Sequence, residues 1–137
     1  MSSIWTVSNK YSFDQPAPPS SFTNGLVNRF INTSSCVAKA TSLLLSSPAP
    51  ESSYCALLAD FVHHRFVGSE PQPVLAIVKF TKGQKEATVV AGGEFVRVAH
   101  PLLGTASFQL RRLSDGEAPR FNFDTDLFLT VRFKKEP

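Results

Sequence analysis

Sulfur and indole are scarce in this chain, with two Cys, one Met and one Trp among 137 residues. Two cysteines cannot build a disulfide scaffold. If Cys36 and Cys55 lie on antiparallel helices joined near residue 49, they sit at different heights. At roughly 1.5 Å per residue, Cys36 is about 18 Å from the turn and Cys55 about 9 Å. A bridge needs Cα atoms within about 7 Å, so both are expected to be free thiols.

Long apolar runs are also missing. "LLL" and "VLAIV" fall far short of the roughly 20 residues that cross a bilayer as a helix, so no membrane is expected as partner. "MSSIWTVSNK" has no basic start followed by an apolar stretch, so no secretory signal is expected. Asn32-Thr33-Ser34 reads as a glycosylation sequon that is meaningless without entry to that pathway. The expected location is cytoplasmic or nuclear, or within a virion.

Catalytic signatures are absent too. No Gly-x-Ser-x-Gly elbow occurs. The adjacent pair His63 and His64 lies in "FVHHRF", where an expected helix turns neighbours about 100° apart. A helical zinc pair needs i, i+4 spacing and further ligands, and only Asp60 lies nearby, so packing or solvent-facing roles are expected. His100 sits before Pro101. Asp124 and Asp126 in "DTD" offer too few oxygens for a hard cation and read as a charged bend between strands. No catalytic residue, metal or cofactor is expected.

What is abundant is phenylalanine, 12 residues. Phe brings area without a polar handle, so most of these rings belong in a core or interface. Net charge is +3, with ten basic and eight acidic residues in 69–137 against four and three in 1–68. A mildly basic chain permits an anionic partner without requiring one.

The pattern along the chain divides it into an extended N-terminal arm, 1–20, and a single domain, 21–137. The arm ends in "DQPAPPSS", whose prolines disfavour regular structure. Chain ends fray unless tied down, so an ordered arm is expected to pack on a neighbouring subunit of a homo-oligomer. Phe22, Leu26, Phe30, Thr33, Val37, Ala40 and Leu44 follow three- and four-residue steps and predict a helix over about 21–46, with a break near Asn32. Leu57, Leu58, Phe61, Val62 and Phe66 predict a second over about 51–66, ended by Gly68. The period then falls to two, predicting strands at 74–80, 87–91, 94–99, 105–113 and 127–135, with a further one in "RFNF" and a tight Gly92-Gly93 connection. Helices followed by strands give an α+β fold: two N-terminal helices packed on a C-terminal antiparallel sheet of about five to six strands, preceded by the Pro-rich arm.

In these strands one phase is apolar and the other carries Lys79, Arg97, Arg111, Arg132 and Lys134. If one sheet turns its apolar face to the helices, the cations share the opposite face, suited to phosphate backbones, although Glu94 and Asp126 interrupt it. The expected function is a non-enzymatic nucleic-acid-binding or coat-type assembly protein of viral kind, with RNA or DNA on that face. Two other readings are a homo-oligomeric adaptor that binds peptides by strand addition, and a small enzyme or carrier using a helix–sheet cavity. No motif places the chain in a known family.

Overall fold

Two stretches expected to be helical are strands. The computed structural model describes residues 2–25, 36–67, 69–91, 95–99 and 104–135. Their only helical element is a single 3-10 turn, Asn9–Tyr11. The strands are β1 (Ser2–Ser8), β2 (Ser21–Gly25), β3 (Cys36–Leu45), β4 (Ser53–Ala59), β5 (Arg65–Val67), β6 (Glu70–Gln72), β7 (Val74–Phe80), β8 (Glu86–Ala91), β9 (Val96–Arg97), β10 (Thr105–Arg112) and β11 (Leu127–Lys135). The fold is therefore all-β, not α+β.

Eight of these strands run in the order β1-β11-β3-β8-β7-β4-β10-β2, every pairing antiparallel. Sheet A is β1-β11-β3-β8 with β9 paired to β3, sheet B is β7-β4-β10-β2, and the β7–β8 pair joins them. This is the strand order of a double-sheet jelly roll, in which near-closure disposes of most open edges. β5 and β6 form a separate hairpin.

The helical periodicity of 36–45 has a local cause. Ala38, Ala40, Leu43 and Leu45 belong to the core. Opposite them, Val131 pairs with Ala40 and Thr130 with Ser42. Thr41 is the extra residue of a β-bulge, which resets the phase. The step from residue 40 to 43 then imitates a helical repeat inside a strand. In β4, Cys55, Leu57 and Ala59 face the core, while Ala56 and Leu58 join Val74 and Ile77 in a second buried cluster. A strand buried on both faces reads as a continuous apolar run, which periodicity cannot separate from a helix.

The expected arm is also corrected. β1 pairs with β11 along its whole length, and Trp5 and Val7 are core residues. Residues 9–20 form the loop from β1 to β2. Within it the Gln15 amide donates to the carbonyls of Lys10 (2.8 Å) and Ser12 (3.0 Å). The seam between β1 and β2 is closed by one side chain: Ser8 N–H donates to Asn24 Oδ1 (3.0 Å), and Asn24 Nδ2 donates back to Ser8 O (2.8 Å). Such an amide substitutes for a ladder rung where backbone partners are missing.

Strands at 74–80 and 127–135 are present with those bounds, 105–113 ends one residue earlier, and 87–91 gains Glu86. Of 94–99 only Val96 and Arg97 are paired as a strand, and 120–123 is loop. The sequon, the break near Asn32, Gly68, Gly92-Gly93, Glu94, His100 and Pro101 lie outside the described residues.

Between the sheets lies an aromatic core. Phe108 of β10 stacks on Phe22 of β2 (5.4 Å between centroids) and meets Phe61 edge-on (5.8 Å) and Trp5 of β1 (6.1 Å). Phe133 of β11 meets Trp5 and Phe61 in turn. Rings from both layers interlock, as tilted and offset aromatic pairs prefer.

Candidate functional site: a basic face on sheet A

The expected basic residues divide between two faces that point in opposite directions. Val131 and Phe133 of β11 are buried in the core, so Arg132 and Lys134 stand on the outer face of sheet A by the alternation of a strand. Arg97 pairs with Val37 while its neighbour Val96 faces the core with Ala38, which puts Arg97 on that same outer face. Lys79 pairs with Tyr54 and Arg111 with Ala56. Both therefore stand outside sheet B. A single layer carrying all five does not exist.

Sheet A gains two members that the sequence reading missed. Lys134, Val37 and Arg97 form one cross-strand row, and Arg132 and Lys39 the next. Rows on one face are two residues apart, about 7 Å. Lys134 Nζ lies 4.1 Å from the centroid of the Phe95 ring and Lys39 Nζ 5.6 Å. Four cations and one aromatic ring thus occupy one end of this face. The signal for Lys39 was the alternation in "VAKA", hidden by the assignment of that stretch to a helix.

Lys39 and Arg132 are opposite each other across adjacent strands, an arrangement of like charges that costs about 0.2–1 kcal/mol. Among the described residues, no carboxylate forms an ion pair with Lys39, Arg132 or Lys134. Phe95 offsets part of the cost, since a cation over an exposed ring gains about 0.5–1 kcal/mol. Further along, the face turns neutral through Thr130 and then apolar, with Phe128 opposite Leu44 and Leu44 opposite Glu86.

On sheet B the charges are already engaged. The Arg112 guanidinium donates to Asp115 (2.7 Å) and Glu51 (3.2 Å). The Glu117 N–H and the Arg112 guanidinium hold the Asp115 carboxyl below the usual carboxylate range. Arg111 donates to the Gly116 carbonyl and Gln109 Oε1, both at 3.3 Å. Lys79 Nζ sits 5.4 Å from the Tyr54 ring centroid.

Cys36 lies on sheet A and Cys55 on sheet B, both free and buried. Burial pushes both thiols up, which disfavours the nucleophilic thiolate. His63 and His64 are exposed in non-helical chain, tethered by the His63 N–H donating to the Arg97 carbonyl (3.0 Å). Asp124 and Asp126 lie in the loop before β11. No group of three His, Cys, Asp or Glu able to hold a metal occurs among the described residues.

No family model matches the chain, and neither does any curated protein or solved structure.

Proposed function

We propose that this protein is a non-enzymatic, coat-type assembly protein that holds the phosphate backbone of a nucleic acid on the basic end of sheet A. The observation that carries the reading is the Arg132–Lys39 opposition beside Lys134, Arg97 and Phe95. Cations placed against each other without acidic partners are relieved when a polyanion binds and its counterions are released. An aromatic ring among them suits single strands, whose bases stack on such platforms. The jelly roll adds an analogy of fold alone, since coat proteins share it with lectins and cupins. Lys79 and Arg111 take no part.

The test is fluorescence anisotropy with a labelled single-stranded RNA of mixed sequence, titrated from 25 to 200 mM salt. Three or four phosphate contacts give a log–log salt slope of about −2 to −3. Arg132→Thr combined with Lys134→Thr weakens binding at least tenfold and flattens the slope by about 1 to 1.5, whereas Arg111→Thr leaves both unchanged. Wild-type protein that fails to bind at 25 mM salt, or a double variant that binds like wild type, would overturn the reading.

A further inference from the structure

The loops after β1, β3, β7 and β10 emerge at one end of the barrel, because Leu127 pairs with Leu45, Ser8 with Phe128, and Ser53 with Phe80. This end carries a projection and a hollow. The projection is Phe123, 93% exposed, where the next most exposed large apolar side chain is Phe13 at 63%. Scattered apolar side chains on a surface are ordinary, but this one is held out by a turn pinned from several sides. Thr125 Oγ1 donates to the Asn122 carbonyl (2.6 Å), Asn122 Nδ2 to the Pro48 carbonyl (2.9 Å), and Asn9 Nδ2 to the Thr125 carbonyl (3.2 Å). Asp124 takes a left-handed φ of 58° to complete it, a conformation that costs a non-glycine residue energy and marks sites where shape matters. A side chain fixed before contact loses little entropy on binding.

The hollow has a volume of about 540 Å³ and lies between Tyr54 and Leu113, floored by Ser53 and Arg112. Tyr54 is 49% and Leu113 46% exposed, so the chain itself leaves an aromatic and an aliphatic wall uncovered. The two features are complementary in charge. Asp124 and Asp126 flank Phe123, and neither forms an ion pair among the described residues. The hollow is rimmed by Lys79, which rests over Tyr54, while Arg112 is already committed to Glu51 and Asp115.

We infer that copies of this chain associate head to tail, with Phe123 of one copy seated between Tyr54 and Leu113 of the next and Asp124 facing Lys79. The inference rests on the assembly half of the proposed function and names its contact. Because projection and hollow are different surfaces, the interface is heterologous and closes into a ring if the rotation permits, or otherwise continues as a filament. Both features lie at the same end, so the joints of a closed ring gather around its axis.

Sedimentation velocity of the full chain from 10 μM to 1 mM reads the outcome. Wild type grows in mass with concentration, and Phe123→Ser and Leu113→Asp each remain monomeric. An equimolar mixture of the two variants forms a dimer and nothing larger, since only one intact joint survives. Lys79→Glu shifts the wild-type association to at least fivefold higher concentration. Both positions are exposed, and circular dichroism checks that the variants keep the fold. If wild type associates and the variants do too, the inference falls but assembly stands. If wild type stays monomeric at 1 mM, both fall, while RNA binding is judged by its own titration.

Discussion

Arg132 of β11 and Lys39 of β3 are directly opposed across neighbouring strands on the outer face of sheet A. One consequence separates a binding residue from a structural one. Arg132→Thr removes the like-charge opposition, so thermal unfolding in low salt should show a gain of about 0.2–1 kcal/mol. The gain should shrink in 0.5 M salt, while RNA affinity moves in the opposite direction. A variant that loses both stability and affinity would mean that Arg132 supports the fold.

Phe108 is the ring through which the two layers interlock. Phe108→Ala should cost about 3–5 kcal/mol by denaturant titration. A loss below 1 kcal/mol would show that the core closes over the gap.

Asn24→Ala strips partners from both Ser8 N–H and Ser8 C=O, which are buried. Leaving two such groups unpaired should cost about 2–4 kcal/mol. Asn122→Ala, which removes an exposed bond to the Pro48 carbonyl, should cost well under 1 kcal/mol. Equal losses in the two variants would remove any special role for the seam.

The depressed Asp115 carboxyl sets a pH dependence whose sign follows from linkage. An unfolded Asp titrates near 3.9, so the contribution is complete above about pH 5 and disappears as pH falls through the lower folded value. Asp115→Asn should therefore melt below wild type at pH 7, and the two curves should converge under acid. Exposure and solvent screening keep the difference small. A gap that widens toward low pH would contradict this.

Both thiols are buried and pushed up by desolvation. Ellman's reagent at pH 8 should react slowly with the native protein and release two equivalents at once in denaturant. Rapid reaction of either thiol in the folded state would contradict the packing.

Four strands of the barrel were legible because each presents one face to the core and one to solvent. Leu127, Leu129, Val131 and Phe133 against Thr130 and Arg132 is such a pattern, and β7, β8 and β10 read similarly. β3 and β4 were not legible. The bulge at Thr41 shifts the repeat, and cover on both sides of Leu57 and Leu58 erases it. β1 was half legible, through Trp5 and Val7, but its place beside β11 depends on a pairing between chain ends that no local pattern encodes. The candidate site shows the same division. Alternation put Lys79, Arg97, Arg111, Arg132 and Lys134 on outward phases, yet which strands share a layer is decided by long-range pairing. Only that pairing splits the five and recruits Lys39 and Phe95.

The clasp between Ser8 and Asn24 gives the cylinder a preferred line of rupture. Elsewhere neighbouring strands are zipped by successive main-chain bonds, whereas this joint hangs on one carboxamide. Breathing of the native state should therefore start there, with the Ser8 amide exchanging its hydrogen sooner than amides midway along β11. A proteolytic or chemical attack that enters the molecule would find its opening at that joint.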